Sequence, residues 1–263
     1  MITALLDADV LLHRAASSAE AKYKFDEGQE CVSVDFPAAK ARMQELIQEW
    51  SRPMFPDKIV LCLSDPTGAY FRKTIYPPYK SHRSGHARPL LFKNLRSHVE
   101  EAYECQWRPG IEADDCLGIL STHPTKYPGT RIVVSTDKDL LQVPGLLYRP
   151  HRPTEGVQKV TAEAGDRWHL MQTLMGDSTD GFRGIPGIGP KKAEKILSTL
   201  LMLDTGRRRA SDWEKVLNAY RLARLTPADA LLQARVARIL RAGDYHQEIG
   251  VRLWTPPEQQ EKQ

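Results

Sequence analysis

Apolar residues fall along the first half of the chain in short unbroken runs separated by stretches with a helical period. Residues 2–6 form the first run, which ends at Asp7, and Val10, Leu11, Ala15 and Ala16 follow at helical spacing. Residues 36–50 bring Met43, Leu46, Ile47 and Trp50 onto one face, and Pro53 stops that helix. Ile59-Val60-Leu61-Cys62-Leu63 is apolar at every position and closes on Asp65-Pro66, which predicts a strand buried on both faces of a parallel sheet. A weaker strand is predicted at 102–107, a helix at 112–120 and another buried strand at 131–135. Two closing strands follow at 146–148 and 157–160, joined by a turn over 149–156. Beyond 161 the pattern is wholly helical, with helices expected at 168–175, 191–203, 213–222 and 228–240. This order predicts an α/β fold: a mostly parallel central sheet flanked by helices, followed by an all-helical region. The expected division is 1–163 and 164–254, with a Pro-, Gln- and Glu-rich tail at 255–263 that frays.

Composition narrows the class. The 263 residues can bury a core without staples, and 41% of them are hydrophobic, but no apolar run approaches the length of a membrane span. The four cysteines, Cys31, Cys62, Cys105 and Cys116, form no CxxC pair and have no histidine at zinc spacing, so they read as reduced thiols. The first residues lack the basic and long apolar regions of a secretion signal. The expectation is a cytoplasmic protein without a membrane partner.

Net charge is only +4, and its distribution matters more. Residues 66–99 contain seven Lys or Arg and no acid, and residues 183–243 carry thirteen basic side chains against five acidic ones. Two basic territories on an otherwise acidic chain suit a polyanion held at two places. In the first, Tyr70, Phe71, Tyr76, Tyr79 and Phe92 lie among the cations, a mixture that suits single-stranded nucleic acid, where bases stack and phosphates pair. A solvated surface loop is the plainer alternative. In the second, residues 184–192 form a Gly-rich turn entering a helix, whose backbone amides and Lys191 and Lys192 can grip a phosphate. An ordinary helical hairpin would also use such a turn. Arg207, Arg208 and Arg209 fit either further phosphate contacts or a solvated loop.

The acids carry the strongest chemical signal. Asp7, Asp65, Asp137 and Asp139 each follow a predicted strand, at the edge where open parallel sheets bind ligands. Glu112, Asp114 and Asp115 open a helix, and Asp177 and Asp180 begin the helical half. Singly, such acids serve as caps and turns, as Asp9 and Asp65 could here. Gathered on one edge they repel one another unless cations intervene. Oxygen-only ligation selects hard divalent ions such as Mg²⁺ or Mn²⁺, and the number of acids suits two of them, able to ionise a water and to neutralise a scissile phosphate.

The ordered set of motifs resembles the 5′→3′ exonuclease/flap endonuclease superfamily, and the free-standing phage 5′→3′ exonucleases within it. The matching stretches are Leu6-Asp7-Ala8-Asp9, Ser64-Asp65 with Phe71-Arg72, Tyr79-Lys80-Ser81-His82-Arg83, Glu112-Ala113-Asp114-Asp115, Ser135-Thr136-Asp137-Lys138-Asp139 and Gly176-Asp177-Ser178-Thr179-Asp180. They end in Gly184-Ile185-Pro186-Gly187-Ile188-Gly189-Pro190-Lys191-Lys192. The chain departs from the family at Ala8, commonly Gly, and at Asp180-Gly181-Phe182-Arg183-Gly184, where many relatives read Asp-Asn-Ile-Pro-Gly.

The resemblance implies a PIN-like or resolvase-like nuclease region with an arch or clamp at about 70–98. It implies that Asp7, Asp65, Glu112 and Asp114 serve a first metal with Asp115 close by, and that Asp137, Asp139, Asp177 and Asp180 serve a second, some ligands acting through waters. Lys80 and Arg83 would act on the scissile phosphate, with Arg72 and Tyr79 on neighbouring DNA. Gly187, Gly189, Lys191 and Lys192 would belong to a helix–three-turn–helix duplex-binding motif, which in the family can also hold K⁺. The implied activity is Mg²⁺-dependent hydrolysis of DNA at 5′ ends, nicks or flaps by a monomer, in the host cytoplasm if phage-encoded, with any replication proteins acting in trans. A non-catalytic branched-DNA binder and a PIN-type ribonuclease are the alternatives.

Overall fold

The continuous apolar runs become the middle of the sheet. A computed structural model describes residues 1–24, 30–85, 87–203 and 208–257. The chain opens with β1 (Ile2–Asp7), α1 (Ala8–Ser18), a hairpin of β2 (Glu20–Lys24) and β3 (Glu30–Val34), α2 (Phe36–Ser51) and β4 (Lys58–Cys62). Next come α3 (Phe71–Ile75), α4 (Phe92–Ala102), β5 (Cys105–Gln106), α5 (Ala113–Thr122) and β6 (Thr130–Val134). The sheet closes with β7 (Gly145–Tyr148) and β8 (Val157–Val160). Four helices follow: α6 (Ala162–Met175), α7 (Pro190–Ser198), α8 (Asp212–Leu222) and α9 (Pro227–Ala237).

The strand order is β5-β4-β1-β6-β7-β8, parallel throughout except that β8 runs against β7. Side chains alternate across β1, so Ala4 and Leu6 join α1, α2 and α4 on one face, while Leu5, Val60 and Val133 join α5 on the other. Both faces are thus apolar, which is why β1, β4 and β6 read as unbroken runs. Because these strands are parallel, Asp7, the Ser64-Asp65 pair and residues 135–139 all leave the sheet at the same edge.

The helical region has its own core of Leu170, Leu174, Ile185, Leu197, Trp213, Val216, Tyr220 and Ala234. The chain then returns: Ile239 and Leu240 pack with Leu117, Leu120 and Val143 beneath the sheet. The approach is close enough that a Cβ on Gly118 would lie 2.3 Å from the Leu240 carbonyl oxygen, so α5 accepts this segment only with glycine there. Among the described residues no helix is long and apolar enough to cross a membrane.

Several elements differ from expectation. The weak strand at 102–107 is only Cys105–Gln106. The helix expected at 191–203 ends at Ser198, where Thr199 is extended, and that expected at 228–240 ends at Ala237 so that 238–240 can reach the sheet. The β2–β3 hairpin has no counterpart among the predicted elements. Of the tail expected at 255–263, residues 258–263 lie outside the described ones, as does Arg207.

Candidate active site

Each acid at the sheet edge is placed by the start of the element that follows it. Asp7 ends β1 and caps α1, and its other oxygen accepts a hydrogen bond from Ser135 Oγ at 2.8 Å. Asp9, in the first turn of α1, accepts from the Ser64 amide at 3.3 Å. Glu112 caps α5 and Asp114 lies in its first turn. Asp137 caps the short helical turn Lys138–Gln142 by accepting from the Asp139 amide at 2.8 Å. Asp177 accepts from the amides of Thr179 and Asp180, which folds the loop carrying Asp180 back toward the edge. Helix N-termini favour negative charge, so the local folding that caps these helices also gathers the acids.

The result is a cavity of about 990 Å³ lined by Asp7, Asp9, Glu112, Asp114, Asp137, Asp139, Asp177 and Asp180. These eight carboxylates outnumber the five Lys and Arg side chains that share the lining: Lys73, Lys80, Arg83, Arg88 and Lys138. The excess shows in the proton affinities. Burial, then Asp9, pushes Asp7 up to about 7; burial, then Asp137 and Asp177, pushes Asp139 up to about 7. Burial with Asp137 and Asp7 raises Asp114 well above the usual carboxylate range, and burial raises Asp137. Glu112 goes the other way: burial opposes its charge, but Lys80 and Arg72 hold it at about 2.

Cations reach in from the side of the basic segment. Lys80 Nζ lies 2.7 Å from Glu112 Oε1 and 3.4 Å from Asp180 Oδ1. Arg83 Nη2 donates to Asp180 Oδ1 at 3.0 Å and to the Thr179 carbonyl at 2.8 Å, and Lys138 Nζ meets Asp177 Oδ2 at 3.0 Å. Among the described residues no three Asp, Glu, His or Cys side chains are already drawn together enough to hold an ion. The donor set nevertheless fits a hard divalent cation. It is all oxygen and in charge excess, and the buried Asp139 Oδ1 accepts no hydrogen bond from any described residue.

Residues 3–160 match the sequence profile of the 5′-3′ exonuclease N-terminal resolvase-like domain. The chain belongs to the 5′-3′ exonuclease family. It is 27% identical to the exodeoxyribonuclease of Enterobacteria phage T3 over 96% of this chain and 92% of that protein. It is 30% identical to the 5′-3′ exonuclease of Mycobacterium tuberculosis over 70% of this chain and 68% of that one. Among solved structures, phage T5 5′-exonuclease with zinc bound shares the fold at a TM-score of 0.57, with 16% identity over 90% of this chain and 93% of that chain. The T5 flap endonuclease in a pseudo-enzyme-product complex with DNA and metal ions matches at a TM-score of 0.56, with 14% identity over the same shares.

Within this family frame, four of the expected side chains are engaged by protein partners that the motifs did not suggest. Asp65 is outside the cavity lining: its carboxylate accepts from the Thr67 amide and hydroxyl and, at 2.7 Å, from the Gly110 amide, latching two loops together. Asp115 is fully buried and spends both oxygens on Arg72, at 2.6 and 2.7 Å. Arg72 is buried with it and is not available to DNA. Tyr79 is also buried; its hydroxyl lies 2.8 Å from Glu112 Oε2 and 3.0 Å from Asp180 Oδ2 and braces the acids. Of the five aromatics in the basic segment, Phe71 and Tyr76 are half-buried, and Tyr70 and Tyr79 line the cavity. Tyr70, Tyr79 and Phe92 are buried, and Phe71 and Tyr79 stack on the Arg72 guanidinium, at 4.6 and 5.8 Å from their ring centroids. Conversely, Asp9 lines the cavity although its position in a first helical turn read as a cap, and Lys138 does so from between two acids.

The turn between α6 and α7 is formed despite its unusual sequence. Paired backbone hydrogen bonds join Asp177 and Phe182, and Phe182 is buried against Tyr79, Val236 and Ala237. Gly184 has φ +57, and a Cβ there would lie 2.2 Å from the Gly176 amide nitrogen, so the two glycines let the turn close. Gly187 and Gly189 face open space, Lys191 and Lys192 are exposed, and no side chain caps the N-terminus of α7.

The raised acids predict a pH dependence. A carboxyl whose pKa rises from 3.8 to about 7 on folding holds its proton more tightly when folded, so metal-free stability falls as pH climbs through that window. Glu112, which is lowered, acts with the opposite sign and only in the more acidic range. The rise in melting temperature on adding Mg²⁺ is therefore expected to be small at pH 5 and largest at pH 8. A Mg²⁺ effect of equal size at both pH values would contradict the assignment.

Proposed function

We propose that this chain is a divalent-metal-dependent 5′→3′ exodeoxyribonuclease with 5′ flap-cutting activity, hydrolysing DNA phosphodiesters to leave 5′-phosphates in replication, primer removal or DNA degradation. The observation that carries this reading is the single cavity in which eight carboxylates outnumber their cations. In it Asp7, Asp9, Glu112 and Asp114 would hold one ion, and Asp137, Asp139, Asp177 and Asp180 a second, with Mg²⁺ the natural choice and Mn²⁺ able to substitute. Bound there, such ions would supply an ionised water and would offset charge on the scissile phosphate and the leaving oxygen.

The chain's own residues do the rest. Lys80 and Arg83 face the cavity from the basic segment and would meet phosphate oxygens as charge builds on them. The open backbone at Gly187 and Gly189, with Lys191 and Lys192, suits the phosphates of a duplex read by shape rather than sequence. A K⁺ ion on the carbonyls of that turn belongs to the reading by analogy with the family. In this account residues 1–163 cut and 164–254 hold duplex DNA with 5′ ends, nicks or flaps.

The test is a Mg²⁺ time course on 5′-labelled blunt, nicked and flapped duplexes, with excess EDTA as control. Mononucleotides released from all three identify exonuclease action, and an intact released flap identifies flap cutting; both stop in EDTA. Undiminished cleavage in EDTA would end the reading.

A further inference from the structure

The Arg72 guanidinium has five N–H donors and uses every one on a buried acceptor. Nε donates to the Val236 carbonyl at 2.9 Å. One terminal nitrogen donates to Glu112 Oε2 at 3.1 Å and to Asp115 Oδ2 at 2.6 Å. The other donates to Asp115 Oδ1 at 2.7 Å and to the Arg238 carbonyl. Asp115 completes the knot by accepting from the Leu240 amide at 3.1 Å and the Glu112 amide at 3.2 Å. Three parts of the chain therefore meet on one planar group. They are α3 at the root of the basic segment, the N-terminus of α5 that carries Glu112, and the segment leaving α9. The last of these is the same stretch that Gly118 admits against α5.

We propose that Arg72 is a positioning residue: beside Lys80 and Tyr79, which also hold Glu112, its fork to Asp115 sets the start of α5, and with it Glu112 at the cavity, while residues 236–240 of the helical region are seated. The helical region would then do more than hold duplex, because its docking also sets an acid of the cutting site. A lysine can keep the charge at this position, but it has three donors on a point rather than a planar fork and cannot satisfy all five acceptors. The proposal rests on the reading of Glu112 as a metal-holding acid. It differs from the phosphate contact that the motif suggested for Arg72, since a side chain with every donor engaged has none left for DNA.

The experiment compares the wild type with Arg72→Lys, and with the paired Arg72→Met and Asp115→Leu, which removes the fork without leaving a lone buried charge. Three quantities are read: melting temperature, affinity for a flapped duplex in Ca²⁺, and the single-turnover rate at saturating Mg²⁺. Both variants are expected to bind duplex within about twofold of wild type while the rate falls by about 100-fold, the loss typical of a reacting group misplaced by an ångström. Hydrogen exchange without divalent ions adds a readout independent of turnover: duplex should slow exchange at the Leu240 amide in wild type and not in Arg72→Lys. A lower melting temperature with an unchanged rate would overturn the proposal in favour of a purely structural knot. Weakened binding with an unchanged rate would overturn it in favour of a phosphate contact. Glu112→Gln serves as the control, because full activity in that variant removes the reading of Glu112 itself, whatever Arg72 does.

Discussion

Asp139→Asn is expected to cut the rate of DNA cleavage by about 10³-fold while making the metal-free protein more stable at pH 8. Both effects have one origin. Asp139 stands among Asp137, Asp177 and Asp180, is largely buried, and is pushed up to about 7 because its negative charge is costly there. An amide of the same shape removes that cost, and relief of order 1 kcal/mol corresponds to roughly 2–4 °C in a chain of this size. The same change takes the charge from a carboxylate whose Oδ1 accepts no hydrogen bond from any described residue, and with it the anionic oxygen pair a divalent cation would use. Duplex affinity should be unaltered, since the proposed duplex contacts lie on the α6–α7 turn. Melting curves in EDTA and single-turnover rates in Mg²⁺ check the two halves separately. A variant that loses activity and also loses stability at pH 8 would contradict the electrostatic account.

Lys80→Ala should shift the same two quantities in a different combination. The Lys80 ammonium is the nearest cation to Glu112 and also reaches Asp180; burial works against its charge, but those carboxylates hold it protonated well above the ordinary lysine value. Its loss leaves the acids less compensated, so the metal-free protein should melt lower. Cleavage should slow by about 10²-fold to 10³-fold, because the fixed positive charge proposed to meet the reacting phosphate is lost. Duplex binding should weaken far less, since one phosphate contact among many is removed. Opposite movements of melting temperature in Asp139→Asn and Lys80→Ala, with slower cleavage in both, are the signature of an acid cluster built for cations rather than for stability. If Lys80→Ala abolished binding while the bound complex still reacted at the wild-type rate, the role given to Lys80 would be wrong.

What the sequence revealed and what it hid follow from how each feature is encoded. β1, β4 and β6 were legible because a parallel strand buried on both faces has no polar positions to blur it. The β2–β3 hairpin was not, because Glu20-Ala21-Lys22-Tyr23-Lys24 has no apolar face and its described side chains stay largely exposed. α4 was hidden for the opposite reason: Phe92, Leu95 and Val99 follow a helical period and are buried, but they lie inside a strongly basic, acid-free run that also suits a nucleic-acid-binding loop. The acids after β1 and β6 could be placed from the strand ends alone. Their partners could not: the motif favours Asp65 beside Asp7 and leaves Asp9 as a cap, whereas the Gly110 amide holds Asp65 and it is Asp9 that lines the cavity. Arg72 is the clearest limit. A buried arginine with five acceptors and a surface arginine awaiting phosphate are the same letter in the same basic run, and only the return of residues 236–240 to the sheet tells them apart.

The proposed chemistry requires that the acids at the sheet edge form one site for two divalent ions, and counting ions tests this most directly. Mn²⁺ bound per chain can be measured from the loss of the free-ion paramagnetic resonance signal as metal-free protein is titrated. Wild type should bind two, and Asp7→Asn and Asp139→Asn should each bind one fewer. No saturable binding in wild type, or two ions in both variants, would contradict it.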